Sequence, residues 1–267
     1  MAATAIALSL AASASADIIS DSELLARFGI DRSVAGQVGS NVTYQFWDTF
    51  TDPGPNPGAP ISAGNAPEPG ANLNQGGTAN LIQNVFNPTG APTTGPFLTS
   101  GGNIYSFASQ TGFDVDLPNL NAGTSFTRIV AQWQTLGTEL DYDSIWLEID
   151  DGVQGADPGT ALAPTYTEFL SNSVNPGPFG GSNVAFVAVW DIAGNAAGYD
   201  LSFNSEGTSM SLDQFALDTF ASTSLSAIQP AAIPEPSSMA FGALALLGGG
   251  AVRWRKKRRE VAVSANV

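Results

Sequence analysis

Between residues 41 and 220 the chain runs in short apolar segments that alternate with polar positions and are separated by Gly, Asn, Asp and Pro. Aromatic and β-branched residues concentrate in nine windows: 41–50, 80–86, 103–109, 125–136, 142–149, 165–170, 183–190, 199–203 and 208–220. Such side chains suit a pleated, half-buried surface, and the residues between them favour turns. Nine strands at this spacing predict an all-β domain of β-sandwich type. Residues 21–28 alone read as a helix, with Ser20 or Asp21 as N-cap. Pro53, Pro55, Pro57, Pro60, Pro67 and Pro69 predict a long surface loop over residues 52–77, because proline lacks the donor that an interior strand needs.

Two segments allow finer readings. Residues 125–136 and 142–149 predict a hairpin in which Leu136 faces Tyr142, so that Ile129, Ala131 and Trp133 lie opposite Ile149, Leu147 and Ile145 on the core face. The same register puts Tyr142, Trp146 and Glu148 on the other face with Val130, Gln132 and Gln134. In the last strand Met210 and Leu212 share one parity and Phe215 and Leu217 the other. A bulge near Asp213 and Gln214 would bring all four to the core side. The run Ser211-Leu212-Asp213-Gln214-Phe215-Ala216-Leu217-Asp218 resembles the closing strand of carbohydrate-binding jelly rolls, which implies a jelly-roll-like sandwich.

The ends of the chain differ in kind from its middle. Residues 5–12 are apolar and lead into Ala12-Ser13-Ala14-Ser15-Ala16, which predicts a signal peptide over residues 1–16 cut after Ala16. No Lys or Arg precedes the apolar run, a departure from the usual pattern. An Ala-rich first helix of the domain is the other reading. At the far end, Ile233-Pro234-Glu235-Pro236-Ser237-Ser238 abuts an apolar stretch, residues 239–252, and then Arg253, Arg255, Lys256, Lys257, Arg258 and Arg259. This order of parts resembles the PEP-CTERM sorting tail. The resemblance covers residues 233–259 and implies an exosortase-type enzyme as partner, which recognises the tail and cuts near Pro234-Glu235-Pro236.

Residues 260–267 run on past the basic cluster, where such tails usually end. Fourteen apolar residues rise about 21 Å as a helix, short of a hydrocarbon core of about 30 Å, which suits a temporary anchor in the membrane. The basic cluster stays cytoplasmic by the positive-inside rule and places the domain outside. An anchor that is never processed remains the alternative. The chain thus divides into signal peptide 1–16, domain 17–226, linker 227–232, sorting tail 233–259 and residues 260–267.

Composition narrows the chemistry. The chain has no cysteine and no histidine, which rules out disulfides, thiolate or imidazole metal sites and nucleophile–histidine pairs. Residues 17–233 hold 22 acidic side chains against Arg27, Arg32 and Arg128, a net charge of −19. Such a surface repels phosphate backbones, so no nucleic-acid partner is expected.

Three candidate sites remain. Tyr142, Trp146, Gln132, Gln134 and Glu148 would form a sugar platform, with rings for pyranose faces and polar groups for hydroxyls; packing under a loop is the plain alternative. No cofactor is expected beyond calcium, for which Asp141, Asp143, Asp150 and Asp151 offer oxygen ligands; solvated turn residues are the plain alternative. Glu148, Glu168 and Glu206 are the glutamates from which a glycosidase would draw its pair, but no spacing selects two of them, and no enzymatic activity is expected. The sequence reads as an exported structural protein of the cell surface or matrix. The alternative is a module that binds exopolysaccharide.

Overall fold

The strands pair into two antiparallel sheets, and alternate positions along them meet in a shared core. The computed structural model describes residues 18–52, 64–86, 96–107, 109–120, 123–150, 161–174 and 180–230. Its strands are β1 (Val42–Trp47), β2 (Asn72–Leu73), β3 (Asn80–Phe86), β4 (Phe97–Leu98), β5 (Ile104–Tyr105), β6 (Gln110–Pro118), β7 (Phe126–Gly137), β8 (Leu140–Ile149), β9 (Tyr166–Val174), β10 (Ser182–Ala193), β11 (Gly198–Ser205) and β12 (Met210–Ser222). The first sheet runs β2-β1-β12-β7-β10-β9, with the small β4–β5 hairpin attached to β12; the second runs β3-β6-β11-β8. The successive pairs β1–β2, β4–β5 and β9–β10 each stay within the first sheet, and every other link between successive strands carries the chain from one sheet to the other.

One core cluster draws on both sheets. Trp47, Ile129, Trp133, Phe186, Trp190 and Phe215 come from the first, and Leu81, Phe113, Val115, Leu147, Leu201 and Phe203 from the second. Trp133, fully buried, has ring neighbours Phe186, Phe203 and Phe215 at 5.9, 5.4 and 5.5 Å. The phase change in β12 is a bulge as expected: its register against β7 shifts between Leu212 and Gln214, and Met210, Leu212, Phe215 and Leu217 all join the core.

The expected hairpin is not formed. β7 pairs with β10, where Trp133 faces Phe186, and with β12, whereas β8 pairs with β11, where Leu147 faces Leu201. The link between β7 and β8 carries the chain from one sheet to the other. Ile129, Ala131, Trp133, Ile145 and Leu147 do face the core, but Ile149 is 52% exposed. A period of two identifies a buried face without naming the neighbouring strand. Two strands facing each other across a core carry the same pattern as two strands side by side.

The helix α1 (Asp21–Phe28) lies where the sequence places it. Ser20 caps it, accepting from the Glu23 amide at 3.4 Å, and Gly29, at φ 72°, closes it by donating to the Leu25 carbonyl at 3.0 Å. Its role was not legible in the sequence. Ile19, Leu24, Phe28, Ile30 and Ala35 form a second core with Tyr44, Phe46, Val130, Val187, Val189 and Ala216 on the outer face of the first sheet. That sheet is therefore buried on both faces, which explains why every residue of β1 is buried.

All three arginines of the domain fasten this layer. Arg32 forks onto Asp218 at 2.6 and 2.8 Å, and Arg128 onto Asp191 at 2.6 and 2.7 Å. Arg128 also donates to the carbonyls of Phe28 and Ser226, both at 2.7 Å. Arg27 pairs with Glu23 and Glu168, and its main-chain oxygen accepts from the Gln229 amide at 2.9 Å. The chain thus stays on the domain as far as Gln229.

Within the expected 52–77 loop, Asn65 bridges to Leu81 and residues 72–73 form β2. Trp47 donates its indole N–H to the Asn65 carbonyl at 2.8 Å. Residues 1–16, the sorting tail 233–259 and residues 260–267 lie outside the described residues. Among the described residues no helix is long and apolar enough to cross a membrane.

Candidate ligand-binding cleft

The five residues of the expected sugar platform are not brought together. Gln132 is fully buried in the α1 joint, accepting from the Ile19 amide at 3.0 Å and donating to Asp218 at 3.2 Å. Gln134 is half-buried on the same strand of the first sheet, while Trp146 and Glu148 are half-buried on β8 in the second. Tyr142 turns toward the core: its ring lies 4.7 Å from Phe186 and 5.0 Å from Phe169, and its hydroxyl donates to Glu139 at 3.0 Å. Burial, reinforced by Glu139, pushes its phenol well above the ordinary range. The register of β8 against β11 shifts between Ser202 and Asn204, so Tyr142 and Trp146 have opposite orientations.

The calcium quartet is likewise divided. Asp141 and Asp143 stand at the beginning of β8, Asp150 follows its far end, and Asp151 lies outside the described residues. Among the described residues no three carboxylates are arranged to hold a metal ion. Glu168 is committed to Arg27 and to the Tyr166 hydroxyl on the first sheet, Glu148 lies on the second, and Glu206 follows β11.

The second sheet does carry a cross-strand row of carboxylates: Asp116 faces Asp200, which faces Glu148. Burial, and after it the charge of Asp150, raises the Asp116 carboxyl above its ordinary 3.8. A carboxyl raised by folding favours the native state below its unfolded value, and that contribution is lost as pH rises through the folded value. Asp116→Asn is therefore expected to raise the melting temperature at pH 7, with the gain vanishing below about pH 3.8. Thermal melts of both proteins across that range check it.

An open cleft of about 390 Å³ lies elsewhere, between the β4–β5 hairpin, the end of β7 and the start of β12. Phe97, Asn103, Tyr105, Phe107, Gly137 and Ser211 contribute to its lining. The three rings form a cluster: Tyr105 meets Phe107 edge-on at 4.7 Å and Phe97 at 5.6 Å, while Phe97 and Phe107 stack at 5.6 Å. Phe97 and Phe107 are 41% and 53% exposed.

Local structure explains how rings come to be held open to solvent. In the turn of the hairpin Thr99 accepts from the Gly102 and Asn103 amides, and Gly102 has φ 90°. Tyr105 faces Ser211 and Ile104 faces Leu212 across the β5–β12 pairing, which ties the hairpin to the sandwich. Asn103 is held by Asp213, the residue that the β12 bulge leaves without a β7 partner. Burial raises the Asp213 carboxyl, the hydrogen bond from Asn103 lowers it, and Asp48 raises it again.

The floor is tight. Ser209 has φ 71°, a conformation that costs a residue other than glycine on the order of 1–3 kcal/mol. Its carbonyl would lie 2.2 Å from a Cβ at residue 137, so Gly137 is required there. No carboxylate or basic group lines the cleft among the described residues. Exposed ring faces beside an amide and several hydroxyls suit a neutral ligand with apolar faces and hydroxyl edges. The sequence signal was present in Phe97, Tyr105 and Phe107 among Gly, Ser, Thr and Asn. The window 103–109 instead read as one ordinary strand, and nothing in it shows that the rings fail to reach the core.

These features define a two-sheet antiparallel β domain with an aromatic cleft, followed in sequence by a separate tail. Residues 232–259 match the PEP-CTERM protein-sorting motif, so the chain carries that sorting signal and is an exported protein addressed to an exosortase-type enzyme. No curated protein matches the chain. Among solved structures it is similar to the enzymatically active domain of tailspike protein 4 of bacteriophage CBA120, at 12% identity over 72% of this chain and 20% of that one. The chain thus spans about a fifth of the tailspike chain, and at a TM-score of 0.20 the likeness bears on neither fold nor function.

Proposed function

We propose that this exported protein is a non-enzymatic polysaccharide-binding protein of the cell surface or matrix, whose domain is a jelly-roll β-sandwich and whose cleft takes a neutral glycan. The apolar stretch 239–252 anchors it in the membrane before processing at Pro234-Glu235-Pro236, with the basic cluster 253–259 on the cytoplasmic side. The observation that carries the binding role is the Phe97–Tyr105–Phe107 cluster held open beside Asn103 and Ser211. Exposed rings cost solvation, and a domain that buries Trp47, Trp133 and Trp190 completely has the means to bury more. The absence of carboxylates from the described lining favours retention of a glycan over its hydrolysis.

The test is titration of the full-length, detergent-solubilised protein with the exopolysaccharide of the producing cells. Saturable binding is expected, and Tyr105→Ala or Phe107→Ala should weaken it about tenfold each, the loss of one ring contact of roughly 1.4 kcal/mol. No detectable binding, or binding indifferent to both substitutions, sinks this reading and leaves a purely structural role.

A further inference from the structure

The edges of the two sheets are treated unequally. In the second sheet the edge strand β3 is met by Asn65, which bridges to Leu81, and the edge strand β8 is met by Leu162, which bridges to Leu147. In the first sheet one edge is β2, only two residues long, and the other is β9, nine residues long. Among the described residues no main-chain hydrogen bond reaches the outer side of β9.

Proteins that keep such an edge solitary blunt it with lysine, proline or outward charge. β9 has no lysine and no proline, and its one charge, Glu168, is neutralised by Arg27. A bulge falls near Leu170, where the register against β10 shifts between Ala185 and Phe186, and beyond it residues 171–174 are all exposed, Val174 at 85%.

We propose that two copies of the chain associate through β9, paired antiparallel about a two-fold axis near Asn172, so that their first sheets join into one. In this register Leu170 of one copy faces Val174 of the other, on the face where Leu170 already packs against the α1 layer, and Ser171 faces Ser173. The pairing covers the exposed Val174 twice by symmetry. A second copy fits this edge because an antiparallel strand is complementary to itself and because residues 170–174, which make the pairing, carry no charge. Elsewhere a domain of −19 repels its own kind. Pairing stops at two, since a two-fold contact uses the same edge of both copies, and among the described residues the opposite edge strand, β2, is two residues long. Salt should strengthen the association by screening the remaining repulsion.

The natural chain has no cysteine, so a single introduced one reports directly. In the full-length protein in detergent, Asn172→Cys is expected to form a disulfide-linked dimer under mild oxidation, since directly opposed β residues lie within disulfide reach. Val38→Cys, at a site 98% exposed and away from β9, is expected to remain monomeric. Val174→Lys should abolish the dimer seen by sedimentation without moving the melting temperature, because that side chain is exposed in the single chain. Equal crosslinking at both cysteine sites, a monomer at all concentrations and salts, or a dimer that survives Val174→Lys would each overturn the proposal.

Discussion

Arg32→Ala is expected to lower the unfolding free energy by about 3–5 kcal/mol, close to the whole stability of many domains. The Arg32 side chain is 3% exposed and that of Asp218 is 0% exposed, so truncation leaves a carboxylate deep under the α1 layer without the guanidinium fork. Gln132 still donates to Asp218, but a neutral amide does not replace the charge of the guanidinium beside a buried carboxylate. The guanidinium also lies 3.9 Å from the centre of the Tyr44 ring, and that contact is lost with it. Denaturant titration followed by circular dichroism measures the change. The double variant Arg32→Met with Asp218→Leu should recover most of the loss, because replacing a buried ion pair by apolar groups of similar size is often neutral or stabilising. A double variant as unstable as Arg32→Ala would mean that shape, and not the uncompensated charge, is what Arg32 supplies.

Trp133→Ala is expected to cost a similar amount, on the order of 3–5 kcal/mol, by a different route. Its indole is fully buried and touches rings from both sheets: Phe186 and Phe215 from the first and Phe203 from the second. Removing it opens a cavity where aromatic packing joins the layers, and close-packed interiors relax only in part around such a loss. The same titration reads the effect. Near-ultraviolet dichroism should weaken too, since the surrounding rings lose a fixed neighbour. A loss below 1 kcal/mol would show that the sheets can close over the gap.

These two residues also mark what could be read ahead of the structure. The inward positions of Trp133, Ile129, Ala131, Ile145 and Leu147 hold although the hairpin register used to assign them does not, because alternation within each strand survives a change of partner, and the bulge in β12 follows from the parity change between Leu212 and Phe215. Helix α1 is likewise legible, with its cap narrowed to Ser20 or Asp21, because capping and helical periodicity are local; the structure selects Ser20. Arg32 was only a rare positive charge in an acidic chain. Its partner Asp218 lies 186 residues away, and no local pattern links them.

The candidate site shows the same divide more sharply. Tyr142, Trp146, Gln132, Gln134 and Glu148 were grouped on the premise that β7 and β8 are neighbours, and the pairing of β7 with β10 and β12 removes that premise. The aromatic cleft, by contrast, joins residues near 97–107, residue 137 and residues 209–211, which meet only after β12 closes the first sheet.

By itself the sequence determined the all-β class, the helix over residues 21–28, the inward positions of Ile129, Ala131, Trp133, Ile145 and Leu147, the sorting tail, and the exclusion of every chemistry that needs cysteine or histidine. Each of these depends on residue type, on a period of two or 3.6, or on a linear order of segments, and all three are properties of neighbours along the chain. The tertiary structure alone decided which strands pair, that α1 seals the outer face of the first sheet with Arg27, Arg32 and Arg128 fastening it, which rings stay in solvent, and which strands form the edges of the sheets. Those outcomes depend on contacts between residues far apart in the chain, where one pattern of alternation is compatible with several partners and only the packing of the whole selects among them.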